Sequence, residues 1–230
     1  MSSNYQVPFI YRMYRRILRV LFRIIFHLLG RVKLEGIENI PSEESYIIAM
    51  NHVSILEVPF VGAFWPDFPE IIGAADVWNR PGQAMLARMY HGLPVRRGEY
   101  DRKVLELVIN VLQSGKKLLI APEGTRSHAP GMQRGKPGIA YIADKAQVLI
   151  VPLGIVGTTE DYIEKAFKGQ RPLIEMRVGE PFHLPPVKGR GAERREKRQQ
   201  NADIVMAHIA AVLPPEYRGV YSDFEKHLGL

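Results

Sequence analysis

Short apolar runs and longer amphipathic stretches alternate along this chain of 230 residues. The apolar runs are bounded by Gly, Pro or polar residues and predict buried strands at Val32–Leu34, Tyr46–Met50, Ile71–Ala75, Leu118–Ala121, Val148–Val151 and Leu173–Val178. The amphipathic stretches predict helices at Val58–Phe64, Asn79–Tyr90, Asp101–Ser114, Ile139–Ala146, Thr158–Phe167 and Ala192–Leu213. Strands that alternate with helices predict an α/β fold, in which residues 31–230 form a single domain with a mainly parallel, twisted sheet flanked by helices.

Residues 1–30 form a separate N-terminal basic segment. Between residues 7 and 29, basic side chains recur every three or four positions and would form one stripe on a helix, the other faces being apolar; they are Arg12, Arg16, Arg19, Arg23 and His27. This pattern predicts an amphipathic helix that lies in an anionic membrane interface. The arginines interrupt every window long enough for a transmembrane helix. A basic helix that covers the protein's own core is the alternative.

The charge distribution agrees with a local role for this segment. The chain carries a net charge of +7, and residues 1–33 contain seven Lys or Arg and no acidic residue. The remainder is neutral, which argues for an anionic membrane surface as partner and against nucleic acid. The chain has no cysteine, which excludes disulfides, thiolate metal sites and a cysteine nucleophile. Its seven histidines show no metal-ligand spacing, so we expect no metal site.

A histidine follows the predicted strand Tyr46–Met50, and a carboxylate follows five residues later: His52 and Glu57. In open α/β sheets, ligands bind beyond the carboxyl ends of strands. A carboxylate that orients a histidine is typical of general-base sites. Residues five apart on one helix point away from each other, so the two can meet only if His52 lies in the turn before a helix. Alternatively, Ser54 and Glu57 form a capping box, although this would place Pro59 at an unfavourable fifth helical position.

A second motif, Glu123-Gly124-Thr125-Arg126, follows the predicted strand Leu118–Ala121. Glycine lets backbone N–H groups approach an anion, threonine offers a hydroxyl, and arginine offers a fork that fits phosphate. More cations follow the same logic, namely the pair Arg96–Arg97 and Lys136 near the start of a predicted helix. Each of these residues is equally compatible with a solvated surface charge.

Taken in order, the motifs Asn-His-x4-acid, Gly-x-Pro-Val-x-Arg, Pro-Glu-Gly-Thr-Arg-Ser, Lys-x-Gly and Val-Pro resemble the 1-acylglycerol-3-phosphate acyltransferase family, the PlsC-like glycerolipid acyltransferases. The resemblance covers roughly residues 30–180. It implies that His52 is the catalytic base and Glu57 its partner. It also implies an acceptor-phosphate site made of Arg97, Glu123, Gly124, Thr125, Arg126 and Lys136. Asn51 and the Val151-Pro152 pair at a predicted strand end are expected at the acyl or substrate site.

The function implied by this resemblance is transfer of an acyl chain from acyl-CoA or acyl-carrier protein to a lysophosphatidic-acid-like acceptor, giving phosphatidic acid. We expect no bound cofactor, and peripheral attachment to the cytoplasmic face of a membrane. The alternatives are transfer to another lysolipid or a glycolipid, and a non-catalytic lipid-binding protein. One departure concerns Glu57, because the family usually has Asp there. The glutamate side chain is about 1.5 Å longer, so it can hold His52 only if the backbone sits further back.

Overall fold

The computed structural model describes residues 5–42, 45–96 and 102–229. Within these ranges, the strands are β1 Arg31–Glu35, β2 Tyr46–Met50, β3 Glu70–Ala74, β4 Leu93–Val95, β5 Leu118–Ile120, β6 Leu149–Val156 and β7 Leu173–Val178. The α-helices are α1 Phe9–Leu29, α2 Glu57–Phe64, α3 Gln83–Tyr90, α4 Arg102–Gln113, α5 Gly138–Ala146, α6 Tyr162–Phe167, α7 Gly191–Val212, α8 Pro215–Arg218 and α9 Glu225–Leu228.

The strands form one sheet in the order β1-β7-β6-β2-β5-β3-β4. Every neighbouring pair is parallel except β6 and β7, which are antiparallel. Because β2 is covered on both faces, all five of its residues are buried. Alternate side chains of β2 enter different cores: Ile47 packs with α4, α5 and α7, whereas Ile48 packs with α1, α2 and α3. The predicted α/β fold with a mainly parallel sheet is confirmed.

The register of the central strands determines where the functional loops meet. In β2, Ile48 pairs with Leu119 of β5 on one side and with Val151 of β6 on the other. All three strands run in the same direction, so their carboxyl ends open at the same edge of the sheet. The loops that follow β2 and β5 therefore lie side by side. The first contains His52, and the second contains the segment that begins at Glu123.

The strand predicted at Val148–Val151 was placed too early and ended too soon. In the structure, β6 continues through Pro152 to Val156. The antiparallel ladder with β7 begins only at Leu153, so the proline lies where β6 has no ladder bond to donate to β7. Because the strand extends beyond the proline, its carboxyl end lies at Val156, and this brings a different loop to the edge of the sheet.

The predicted N-terminal helix is present, but three of its arginines bind to the rest of the protein. Arg15 is buried and donates to both carboxylate oxygens of Glu70, at 2.8 and 2.7 Å, and to the carbonyl of Tyr90 at 2.8 Å. Arg19 donates to the Pro66 carbonyl at 3.0 Å. Arg23 likewise donates to a backbone carbonyl of α2. The interpretation of the stripe as a membrane contact was therefore wrong for Arg19 and Arg23. Together with Arg15, which lies outside the stripe, they attach α1 to the domain.

The opposite side of α1 exposes large apolar side chains, which we call the apolar face of α1; they are Phe9, Ile10, Met13, Ile17, Val20, Leu21, Ile24 and Leu28. Phe9 and Leu28, at the two ends of this face, are 70% and 74% exposed. Apolar patches of this extent on a protein surface mark interaction sites. No helix in the described ranges is long and apolar enough to cross a membrane.

The ion pair between Arg15 and Glu70 yields a stability prediction. Removing one partner of a buried pair costs about 3–5 kcal/mol, because the other charge stays buried and unpaired. Each kcal/mol lowers the Tm of a domain of this size by roughly 2–4 °C. Arg15→Met should therefore lower the Tm by roughly 6–20 °C in thermal unfolding. Arg16→Met, which changes an exposed arginine of the same helix, is the control. Equal shifts in the two variants would contradict the anchoring role of Arg15.

Candidate active site

His52 and Glu57 form a hydrogen-bonded pair at the carboxyl end of β2. The Nδ1 atom of His52 lies 2.9 Å from Oε2 of Glu57. His52 lies in the loop after β2, and Glu57 is the first residue of α2. The pair therefore meets across the turn before a helix, as the spacing of five required. The Glu57 side chain is fully buried, whereas that of His52 is 16% exposed and so remains accessible to a substrate.

The surroundings of Glu57 show why its carboxylate points at His52. The N–H group of Ser54 donates to both carboxylate oxygens, at 2.8 and 3.0 Å, and the hydroxyl of Thr158 donates to Oε1. Ser54 is not the N-cap, because α2 begins after Leu56. Pro59 therefore falls at the third helical position, in the first turn, where a proline is tolerated. Sequence reasoning missed Thr158, because it ended the strand before this loop too soon.

Glu123 does not lie on a surface that a phosphate could contact. It is 2% exposed, and its two oxygens accept hydrogen bonds from the backbone N–H groups of His52, at 2.8 Å, and Gln133, at 2.7 Å. Burial raises the pKa of this carboxyl to about 7, although both backbone hydrogen bonds lower it. The expectation of a phosphate ligand is thus corrected, and Glu123 instead connects the loops after β2 and β5.

Gly124 lies against the side chain of Lys136, so the structure brings these two predicted residues together. Gly124 has a φ of +70°, a conformation that favours glycine. Its N–H group donates to the Ala121 carbonyl at 3.0 Å and is not free for an anion. A Cβ at position 124 would lie 3.1 Å from Nζ of Lys136. The glycine therefore leaves room for the lysine, whose side chain is exposed to solvent beside the loop.

A cavity of about 580 Å³ adjoins the His52–Glu57 pair. Its lining includes His52, Gly124, Thr125 and Arg126, which come from the loops after β2 and β5. Most of the remaining wall is apolar and comes from both the sheet and the helices; it includes Leu18, Phe22, Met50, Leu56, Ile71, Leu86 and Leu119. Because Leu18 and Phe22 belong to α1, the N-terminal helix forms part of this wall. An apolar channel that ends at polar, basic loops fits an amphiphilic ligand.

Three residues assigned to the acyl or substrate site lie elsewhere. Asn51 is 1% exposed, and its side-chain amide exchanges two hydrogen bonds with the backbone of Ile155, at 2.9 and 2.7 Å. It therefore joins the end of β2 to β6. Val151 and Pro152 are buried inside β6 and do not line the cavity. Arg97 lies outside the described residues.

Comparison with known proteins identifies the family of this chain. The profile of a family described as Acyltransferase matches residues 31–156, which is more than half of the chain. The chain belongs to the acyltransferase family. The match spans β1 to β6 and includes both strand-end loops that line the cavity, so the resemblance to the PlsC-like enzymes is confirmed.

Individual relatives of this acyltransferase carry consistent names. The 1-acyl-sn-glycerol-3-phosphate acyltransferase alpha of Ovis aries is 29% identical over 182 residues, which are 76% of this chain and 61% of that protein. The chain thus spans about three fifths of the length of the mammalian relatives that it matches. The 1-acyl-sn-glycerol-3-phosphate acyltransferase of Bacillus subtilis is 26% identical over 162 residues, 70% of this chain and 78% of that one.

A solved structure shows the same fold. The crystal structure of PlsC, the 1-acyl-sn-glycerophosphate (LPA) acyltransferase from Thermotoga maritima, superposes with a TM-score of 0.59 at 24% sequence identity. The superposition covers 82% of this chain and 76% of that chain. The likeness supports the α/β architecture of the acyltransferase.

The buried carboxyl of Glu123 predicts a pH-dependent contribution to stability. Burial raises its pKa from 4.5 to about 7, so the folded protein holds this proton more tightly than the unfolded chain does. The contribution is complete below about pH 4.5 and is lost as the pH rises through 7, a change of roughly 3 kcal/mol. Denaturant unfolding from pH 4 to 8 should show wild type losing stability relative to Glu123→Gln. Glu160→Gln, at an exposed position, should show no such trend. A difference between wild type and E123Q that did not change with pH would contradict the raised pKa.

Proposed function

We propose that this acyltransferase moves an acyl chain from acyl-CoA or acyl-carrier protein to the hydroxyl of a lysophosphatidic-acid-like acceptor, giving phosphatidic acid. The observation that carries the proposal is the His52–Glu57 pair beside an apolar cavity whose lining also contains Thr125 and Arg126. The names of the sheep and Bacillus relatives support the acceptor. The reaction needs no bound cofactor, because the donor thioester is already activated.

The proposed mechanism is direct transfer with His52 as general base. Since Nδ1 faces the Glu57 carboxylate at 2.9 Å, the ring proton is held there and Nε2 is left as the base. Nε2 takes the proton of the acceptor hydroxyl as its oxygen attacks the thioester carbonyl. The tetrahedral intermediate collapses, the carbon–sulfur bond breaks, and the leaving thiolate receives the proton from the imidazolium. Glu57 stabilises the imidazolium between these two steps.

The acceptor phosphate would bind at the loop after β5. The Arg126 guanidinium offers two parallel N–H donors to phosphate, and the Thr125 hydroxyl lines the same cavity. Lys136, packed beside Gly124, can supply a further positive charge. Arg97 stays a predicted member of this group. Holding the phosphate here would align the acceptor hydroxyl with Nε2 of His52, and such alignment lowers the barrier of a transfer between two molecules.

The donor's acyl chain would occupy the apolar part of the cavity. Each buried CH₂ group contributes about 0.8 kcal/mol, so a long chain binds strongly to such a surface. The wall from α1, which includes Leu18 and Phe22, separates this space from the apolar face of α1 on the other side of the same helix. A chain bound here lies one helix diameter from the surface that we propose to contact lipid.

The apolar face of α1 would insert into the membrane surface and hold the enzyme there as a peripheral protein, on the cytoplasmic side where acyl donors are found. A helix with one large apolar side lies in the interface with that side buried among the acyl chains. Arg12 and Arg16 are exposed beside this face and can contact anionic headgroups. In this proposal, attachment to the membrane depends mainly on the inserted apolar residues, whereas the sequence pattern had assigned it to the arginine stripe.

A second acceptor class deserves the same assay. The lyso-ornithine lipid O-acyltransferase of Pseudomonas aeruginosa is 24% identical over 186 residues, which are 73% of this chain. Its acceptor carries no phosphate. The cations around the cavity favour a phosphate-bearing acceptor, and an assay with both acceptors separates the two functions. The tight contact between Glu57 and His52 argues against the non-catalytic alternative, because the longer carboxylate still reaches the ring.

Acyl transfer by the purified protein tests the proposal. Acyl-CoA and acyl-carrier protein would be offered as donors, with lysophosphatidic acid, lysophosphatidylcholine and lyso-ornithine lipid as acceptors. We expect the highest kcat/KM with lysophosphatidic acid. His52→Ala should lower kcat roughly 10²- to 10⁴-fold, the usual contribution of a general base. His183→Ala, which changes an exposed histidine, is the control. Substantial turnover by H52A would exclude the general-base mechanism.

Vesicle binding tests the proposed role of α1. The double variant Ile17→Asp, Leu21→Asp places charges on the apolar face and should lose binding to vesicles of phosphatidylcholine and phosphatidylglycerol in a flotation assay. Val220→Asp, at a 66% exposed position near α8, should bind as wild type does. Wild type should keep most of its binding in about 1 M salt, where charges are screened beyond about 3 Å. Release by salt would instead mean that arginines dominate the attachment.

A further inference from the structure

A buried threonine contacts the catalytic pair from a third strand end. Thr158 is fully buried and follows Gly157, at the carboxyl end of β6. Its hydroxyl donates to Oε1 of Glu57, whereas Oε2 of the same carboxylate faces His52. The Ser54 N–H group donates to both oxygens. Both carboxylate oxygens are therefore held by hydrogen bonds. The Thr158 hydroxyl is the donor that comes from a distant part of the chain.

We infer that Thr158 is a positioning residue for the catalytic pair. Its hydroxyl holds Oε1 of Glu57, and this directs Oε2 toward Nδ1 of His52. The inference rests on the proposed function, in which His52 is the general base. A freely rotating glutamate could leave the histidine, because it has one more rotatable bond than aspartate. The hydrogen bond from Thr158 restricts this rotation. Glu57 can therefore orient His52 as the shorter aspartate of the family usually does.

The position of Thr158 is itself tightly determined. Gly157 has a φ of +89°, and a Cβ there would lie 2.1 Å from the Leu173 carbonyl oxygen, so only glycine fits. The Gly157 N–H group donates to the phenolic oxygen of Tyr217, in α8, at 2.9 Å. Threonine is branched at Cβ and has few accessible rotamers. A continuous set of contacts thus runs from α8 through the loop after β6 to Glu57 and His52.

Two substitutions separate positioning from packing. Thr158→Val keeps the volume and the branching but removes the hydroxyl, whereas Thr158→Ser keeps the hydroxyl and removes a methyl group. T158V should lower kcat roughly 10- to 100-fold with little change in either KM, as expected when a catalytic group shifts by about 1 Å. T158S should stay close to wild type. A role in packing alone predicts the reverse order, with T158V the less affected of the two.

The pH dependence supplies a readout that simple destabilisation would not move. The Glu57 carboxylate stabilises the imidazolium that His52 becomes during transfer, so this stabilisation weakens when the carboxylate drifts away. The pH profile of kcat/KM should therefore change in T158V and stay as in wild type in T158S. In the Glu57→Gln background, Thr158→Val should add little further loss, because the two residues act through one contact. Additive losses would overturn the inference.

Loss of the contact can also be measured without turnover. The NMR signals of the His52 ring nitrogens, identified by their absence in H52A, should show the Nδ1–H tautomer in wild type and T158S and a mixture of tautomers in T158V. This experiment tests the contact even if no acceptor in the panel is acylated, so failure of the proposed function and failure of this inference are distinguishable. If T158V does not fold, Thr158→Ala provides the same loss of hydroxyl. An unchanged His52 tautomer in a folded variant that lacks the hydroxyl would overturn the proposal.

Discussion

Parallel pairing of β2 with β5 on one side and β6 on the other is the constraint on which the site depends. The carboxyl ends of parallel neighbouring strands open at the same edge of the sheet, so the loops that follow these three strands meet there. The loop after β2 supplies His52, the loop after β5 supplies Arg126, and the loop after β6 supplies Thr158. These residues are far apart in sequence, and each loop alone supplies only one part of the site. The catalytic arrangement is thus a property of the sheet and its register.

Buried carboxylates fix how the surrounding parts fit together. An unpaired carboxylate inside a protein is very costly, so each buried one must find donors, and these donors come from other segments. Glu70 binds Arg15 and attaches α1 to the sheet. Glu123 accepts backbone N–H groups from two loops, and Glu57 joins α2 to His52 and to the loop after β6. In each case the need of the buried carboxylate for donors fixes how two or more elements are placed relative to each other.

The N-terminal helix combines attachment and exposure in a way that suits the proposed lipid substrates. Arg15, Arg19 and Arg23 donate to Glu70 or to backbone carbonyls, which leaves the apolar face of α1 outward. The same helix contributes Leu18 and Phe22 to the wall of the cavity. If α1 lies in the membrane surface as we propose, the acyl-binding space and the bilayer are separated only by this helix, and an amphiphilic substrate has a short path between them.

The alternation of strands and helices and the N-terminal helix could be predicted from the sequence, because periodicity is a local property. The spacing of His52 and Glu57 showed only that the two could meet in the turn before a helix, and a capping box was the alternative. The order of five motifs also identified the family. Tertiary structure alone decided which side of α1 faces outward, because an arginine stripe reads the same whether its partners are lipid headgroups or backbone carbonyls. It also decided that Glu123 is a buried support and that Pro152 lies inside a strand. Both outcomes, like the contact of Thr158 with Glu57, depend on partners that strand pairing brings together from distant parts of the chain. Such pairing leaves no trace in a local pattern.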